Sequence, residues 1–489
     1  MRLNRKTIGL FTGIILFLIT YLFTDLDPER PLVTPTLAVA LLMASWWITE
    51  AIPLSVTALV PLVLFPVLGI VPSKVIATSY MNHIIFVYVG GFMVALAMEK
   101  WNLHRRIALK IMTWVGPGPG RILFGFMFAT AFLSMWISNT ASTMMMLPII
   151  LSIISQLEKN IPGKTAARYA TGVLLAIAYS ASVGGITTLV GSPTNLVYPQ
   201  QLQALFPEAP VITFTQWMGF AAPISITMFL IVFGVIWLRF VPRKKFEGIE
   251  EGYFRKEYQK LGRASYEEKA VLVLFVFLAM LWTFRSGITF DNFTIPGWGA
   301  IFDHAPYIND ATAAIFVAIL LFVIPSARKD GSRLMDWKTA HRLPWDIVLL
   351  FGGGFALASG FQSSGLAIWM GEQLSWTAEA GTYVVLLAIL TLMIFLTELT
   401  SNVASIQMLL PVFAALAISS STNPVLLMFP ATLASSMAFM LPTATPPNAI
   451  VFGSHKIEIK TMVRTGLVLN LIAILVILFF TWVQQGRLV

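Results

Sequence analysis

Apolar residues fall along this chain in long blocks rather than in alternation. Blocks of about 20 apolar residues, each long enough as a helix to cross about 30 Å of hydrocarbon, recur over the whole length. Eleven read as single spans: 7–23, 33–49, 54–71, 83–99, 168–198, 213–238, 269–285, 311–325, 345–361, 424–452 and 463–484. Two further apolar segments, 122–156 and 382–418, stand outside that series. The shorter alternating strands of a transmembrane barrel are not seen. The pattern predicts an all-α membrane protein.

Loop charge sets the topology. With the basic N-terminus placed in the cytoplasm, the loop "DLDPER" at 25–30 lies outside and the stretch 100–121, with Arg105, Arg106 and Lys110, lies inside. Residues 157–168 are inside, and 199–212, without Lys or Arg, are outside. Residues 239–269 hold nine Lys and Arg and are inside, as are 327–342 and 455–464. Residues 362–381 hold none and are outside, and the C-terminus emerges outside. This is the positive-inside distribution. Segment 122–156 has basic loops on both sides, and segment 382–418 has loops without Lys or Arg on both sides. Each therefore reads as a re-entrant hairpin, the first entering from the cytoplasm and the second from outside. Such backbone is tolerated at membrane depth only inside protein or against a wet cavity.

A repeat links the two hairpins. "SNTASTMMMLPI" at 138–149 and "SNVASIQMLLPV" at 401–412 match at seven of twelve positions, 263 residues apart. The same offset aligns "GGFMVALA" at 90–97 with "GGFALASG" at 353–360. A third pair, "GSPTN" at 191–195 and "ATPPN" at 444–448, lies downstream at a slightly different offset. Duplication with inversion accounts for both the repeat and the opposite entry faces. Inverted repeats with broken helices place substrate and ion sites near the bilayer midplane. The chain then divides into an N-terminal helix (1–32), a first repeat (33–240), a basic cytoplasmic linker (241–268) and a second repeat (269–489).

Composition sharpens this picture. Of 489 residues, 57% are hydrophobic and 11% charged, against about 25% charged in soluble domains. There is no cysteine, which excludes disulfides and thiolate chemistry. The net charge of +9 is carried by the few basic loops and is no nucleic-acid footprint. The segment after "MRLNRK" reads as an uncleaved signal anchor.

The chemistry follows from what the hairpin tips lack. No ionisable residue lies between Ile122 and Leu157, and Glu398 is the only one in 382–423. A proton-driven carrier would need acidic or histidine relays there. Asn139 and Asn402 instead offer amides, and Ser138, Thr140 and Ser401 offer hydroxyls. Helix starts at the tips leave free N–H groups that suit an anion. Helix ends and unwound carbonyls suit a hard cation such as sodium. Further breaks at Gly191–Pro193 and Pro446–Pro447 would add backbone groups to the same site.

Other polar and aromatic residues read as structural. Glu50, Glu99 and Asp346 fall at membrane edges; Trp46, Trp47, Trp101 and Trp345 fit an interfacial belt. Met144–Met146 reads as core filler, and Glu398 as a buried, hydrogen-bonded brace. The "GPGPG" at 116–120 is a turn and not a phosphate loop, because no Gly-Lys-Ser/Thr follows.

At these residues the chain resembles the divalent anion/sodium symporter family, the INDY-type dicarboxylate and citrate transporters. The matching pieces are "WWITEAIPLSVTALVPL" (46–62), "SNT" (138–140), "GGITTLVGSPTN" (184–195), "TELTSNV" (397–403) and "ATPPNAIVFG" (444–453). The resemblance implies eleven membrane helices plus two re-entrant hairpins, a homodimer in the plasma membrane and an elevator motion. It implies one sodium site at Ser134, Ser138, Asn139 and Gly191, and a second at Thr397, Thr400, Asn402 and Ala444. It implies substrate carboxylates against Asn139, Thr140, Ser192, Asn402, Val403, Thr445 and Pro446. Val403 stands where many members carry Thr, which keeps citrate open beside succinate, malate and fumarate. A sodium-independent exchanger and a channel with re-entrant loops are the competing readings.

Overall fold

The computed structural model describes residues 4–116, 118–160, 163–242, 252–290, 293–328 and 331–488. Among the described residues, six helices are long and apolar enough to cross a membrane: Arg5–Phe23, Ser73–Lys100, Phe214–Phe240, Trp345–Ser364, Asn402–Ser419 and Ile459–Gly486. Six shorter apolar helices of 10–17 residues accompany them. Large apolar side chains such as Phe11, Leu238, Val273 and Leu475 point outward, as expected where the surrounding medium is hydrocarbon.

Local sequence explains where helices start. Capping boxes open three of them, at Thr213 with Gln216, Ser265 with Glu268 and Asn309 with Thr312, each satisfying two orphan backbone donors. Proline occupies the first turn at Pro119, Pro193, Pro424 and Pro446, where its missing N–H costs nothing.

Local sequence also explains where helices break. The segment 122–156 is two helices, Pro119–Ser134 and Asn139–Asn160, and 382–418 is Thr382–Thr397 and Asn402–Ser419. Two segments read as single spans are also split. Gly163–Gly185 is followed by Pro193–Leu205, and Pro424–Ser435 by Pro446–Phe452. The unwound stretches, 186–192 and 436–445, are wider than the Gly-Pro and Pro-Pro signals alone mark.

Each half is built around one buried helix. Gly163–Gly185 packs on Pro119–Ser134, Asn139–Asn160 and Phe214–Phe240. Pro424–Ser435 packs in the same manner on Thr382–Thr397, Asn402–Ser419 and Ile459–Leu488. The repeated "GGF" marks close crossings. A Cβ on Gly90 would lie 2.6 Å from the backbone of Ala314, and one on Gly353 would lie 2.6 Å from the carbonyl oxygen of Ala58. Side chains at either place would force the helices apart. A second apolar cluster, with Val33, Met43, Trp47 and Phe65 against Leu350 and Phe361, joins the early helices to Trp345–Ser364.

Two short antiparallel strands, Ile288–Phe290 and Phe293–Ile295, pair within the mostly helical chain. Trp47 and Trp101 are buried, not interfacial, and their indole N–H groups donate to the carbonyls of Leu54 (3.1 Å) and Leu334 (2.7 Å). Of the basic linker 241–268, residues 243–251 lie outside the described residues; Tyr253–Lys260 forms a short helix. Arg106 holds the end of that segment, pairing with Glu268 at 2.8 Å and donating to the carbonyls of Leu261 and Gly262.

Candidate functional site

The four broken segments bring four helix starts to one place. The helices beginning at Asn139, Pro193, Asn402 and Pro446 all contribute their first residues to a cavity of about 800 Å³. Every residue named from sequence for the substrate lines it: Asn139, Thr140, Ser192, Asn402, Val403, Thr445 and Pro446. Ser138 and Ala444, named for sodium, line it too. The positive ends of the helix dipoles thus face a common space, while Pro193, Pro446 and Pro447 present no N–H there. Some of the backbone donors at these starts are already engaged: Ser138 Oγ accepts from Ala141 N–H at 3.2 Å, and Thr445 Oγ1 from Asn448 N–H at 3.3 Å.

Behind the first hairpin tip is a cluster of oxygens. The outer end of the Asn139 amide lies 2.5 Å from Ser134 Oγ, 3.1 Å from the carbonyl oxygen of Ala181 and 3.3 Å from that of Gly191. Ser134 Oγ is also 2.7 Å from the carbonyl oxygen of Ala181, and one hydroxyl proton cannot serve both neighbours. With its nitrogen turned toward them, the amide has two N–H donors to share among the three oxygens. With its oxygen inward, it completes a set of neutral oxygens of the kind hard cations take. Gly191 is glycine for a local reason: a Cβ there would lie 2.5 to 3.0 Å from the carbonyl oxygens of Gly185, Ser134 and Met135.

The second tip is assembled from matching parts, differently used. Thr397 is buried and its hydroxyl donates to the carbonyl of Ile394 at 3.1 Å. Thr400 Oγ1 shares a 2.5 Å hydrogen bond with Ser405 Oγ. Asn402 Oδ1 is buried with no hydrogen-bond partner among the described residues. An unpartnered buried acceptor beside a helix start fits a cation ligand, since such a group otherwise costs about 1–3 kcal/mol.

Three residues outside the named set hold the breaks in shape. Asn195 Nδ2 donates to the carbonyls of Gly185 (2.8 Å) and Thr188 (2.7 Å). Asn448 Nδ2 donates to those of Ala438 (3.1 Å) and Leu441 (3.0 Å). One offset of 253 residues relates both asparagines and both pairs of carbonyls, so the third repeat pair encodes two equivalent clamps. The asparagine ending "GSPTN" and "ATPPN" was the available signal. Glu398 is the third. Its carboxylate accepts from three successive backbone N–H groups, Phe439 (2.7 Å), Met440 (2.8 Å) and Leu441 (2.9 Å), and from Asn470 Nδ2 (2.7 Å). In the first half the position 263 residues earlier is Met135, whose carbonyl accepts from the Thr188 hydroxyl. The two halves therefore share the asparagine clamp and differ in the second brace, a carboxylate in one and a backbone carbonyl in the other.

The cavity carries no charged side chain at its tips. Its charged lining residues are Glu50, Glu99 and Arg342, of which Glu99 and Arg342 pair with each other. Among the described residues no group of three or more His, Cys, Asp or Glu is placed to hold a metal ion.

Polar breaks buried in an apolar bundle, with helix dipoles turned on a shared cavity, are the architecture of a membrane transporter. The chain belongs to the sodium:sulfate symporter family, whose transmembrane region matches residues 5–485. The sodium-dependent dicarboxylate transporter SdcS of Staphylococcus saprophyticus is 41% identical over 486 residues, 98% of this chain and 91% of that one. SdcS of Staphylococcus aureus strain RF122 is 40% identical over 490 residues, with the same coverage. The family resemblance read from the motifs is thereby borne out. The solved YdaH transporter of Alcanivorax borkumensis matches with a TM-score of 0.58, covering 99% of this chain and 98% of that one at 13% identity. That likeness bears on the fold alone.

Proposed function

We propose that the chain is a sodium-coupled secondary symporter that carries C4-dicarboxylates such as succinate, malate and fumarate into the cytoplasm, with citrate as a competing substrate. One observation carries this reading: four helix starts and two polar hairpin tips line one cavity that has oxygen-rich pockets and no charge at its tips. The relatives named as sodium-dependent dicarboxylate transporters supply the substrate class.

In this reading the carboxylates meet Asn139, Thr140, Ser192, Asn402, Thr445 and the Pro446 helix start. One sodium takes oxygens from Ser134, Ser138, Asn139 and Gly191, and a second from Thr397, Thr400, Asn402 and Ala444. Sodium supplies positive charge that lowers the cost of bringing a dianion out of water. A substrate that binds well only once the cations are in place makes transport coupled, and by linkage raises their affinity in turn. Val403 presents no hydroxyl to the substrate, which narrows the margin between di- and tricarboxylates.

The membrane reading keeps eleven spans and two re-entrant hairpins, with the N-terminus cytoplasmic and the C-terminus outside. The cavity lining at Glu50, Glu99 and Arg342 then faces the cytoplasm, because the basic loops share that side. The hairpins and their central helices move as one body against the remaining helices, which also form a homodimer contact. Uptake of labelled succinate into proteoliposomes tests the proposal. Uptake should be driven by an inward sodium gradient and saturate with succinate. Gradient-independent exchange would favour the sodium-independent antiporter, and non-saturating ion flux a channel.

A further inference from the structure

Arg342 and Glu99 form an ion pair in the cavity lining. Arg342 follows the short helix Trp337–Ala340, and Glu99 lies in the last turn of the helix ending at Lys100. Two contacts fix these elements to each other: Lys100 Nζ meets Asp336 Oδ2 at 2.6 Å, and the Trp101 indole donates to Leu334 at 2.7 Å. Arg342 is thus presented on a braced platform that contains none of the hairpin residues. The pair is not deeply buried, with side-chain exposures of 56% for Arg342 and 36% for Glu99, so water and salt weaken it.

A second lobe of about 660 Å³ adjoins the main cavity. It shares Glu99, Ser138, Thr140 and Arg342 with the main cavity and adds His104 and Arg105. Thr140 and Arg342 line both lobes, so a carboxylate moving from the hairpin tips into the second lobe comes upon Arg342. There it meets a guanidinium whose present partner is itself a carboxylate, on a weak and half-exposed bond. Guanidinium binds carboxylate in two-point fashion.

We propose that Arg342 is a second station for the di- or tricarboxylate at the cytoplasmic mouth, and that Glu99 competes with the substrate for it. The station sets affinity from the cytoplasmic side and the rate of substrate release. This rests on the symporter reading given above. Its signature is a pair of opposite effects from the two partners of one ion pair. Removing Arg342 weakens cytoplasmic capture. Removing the Glu99 charge frees Arg342 and strengthens capture, so substrate leaves more slowly.

The test uses the full chain in proteoliposomes, oriented by a single introduced cysteine blocked from one side, since the chain has none of its own. Half-saturation by succinate is measured on each face by counterflow. Arg342→Gln should raise the cytoplasmic-to-external ratio of half-saturation by about twofold to fivefold, the size expected for a partly exposed charge contact. Glu99→Gln should lower it by a similar factor, and Arg342→Lys, which keeps the charge but not the two-point fork, should restore only part of the loss. Added potassium chloride should shrink both effects. Movement of both variants in the same direction, or equal changes on the two faces, would overturn the station and leave a structural latch. Failure of the unmodified protein to transport succinate would instead strike the symporter reading itself.

Discussion

At the scale of single residues, the account rests on two amides at equivalent positions. Asn139 and Asn402 open the helices whose starts face the cavity. Asn139→Ala and Asn402→Ala should each abolish sodium-driven uptake while leaving the protein folded and monodisperse; near-normal transport in either would remove that residue from the site. Val403 lines the same wall. Val403→Thr adds a hydroxyl and should change the relative inhibition of succinate uptake by citrate and malate, read from competition curves. Identical curves would show that position 403 does not touch substrate. Asn448 is a different case, because its amide serves the backbone. Asn448→Ala strands the carbonyls of Ala438 and Leu441, at about 1–3 kcal/mol for a buried group left unpaired. It should lower thermal stability and sodium affinity together, and sodium affinity alone should not fall.

At the scale of elements, the broken helices are the functional parts, and their second braces differ between halves. Glu398 ties the 436–445 break to both the second hairpin and the long C-terminal helix Ile459–Leu488. Glu398→Gln replaces an acceptor oxygen with an NH₂ that faces donors. Hydrogen exchange should quicken at 439–441 and stay unchanged at 186–192; equal loosening of both breaks would contradict separate bracing. The platform at the cavity mouth has its own pH signature. The ammonium of Lys100 beside Asp336, with help from the Thr339 N–H and hydroxyl, holds that carboxyl at about 2, below the ordinary value near 3.8. A carboxyl held low in the folded state contributes stability above its unfolded value and loses it as pH falls through the folded one. The stability gap between the protein and Asp336→Asn should therefore be full at pH 5 and above, and close as pH drops from about 4 toward about 2.

At the scale of the whole molecule, the breaks were legible in the sequence because polar phrases inside apolar blocks have few other uses in a membrane. Charge on the flanking loops separated 122–156 and 382–418 from ordinary spans, and the 263-residue offset paired them. The width of the unwound stretches was not legible. Stretches 186–192 and 436–445 are held open by Asn195, Asn448 and Glu398, whose partners are remote carbonyls and N–H groups that no local pattern marks. Trp47 and Trp101 depart from the belt expectation for a related reason. A belt tryptophan and a buried one that donates to a distant carbonyl have the same sequence context near a helix end. The paired strands Ile288–Phe290 and Phe293–Ile295 are too short to show an alternating pattern.

The central claim is that cations and dianion occupy one cavity and hold each other there. Equilibrium binding of succinate to the detergent-solubilised protein, measured by titration calorimetry across a series of sodium concentrations with choline as replacement, tests this most directly. Succinate affinity should rise steeply with sodium and vanish in choline, and succinate should raise sodium affinity by the same factor. Succinate binding of equal strength in sodium-free choline buffer would contradict the account.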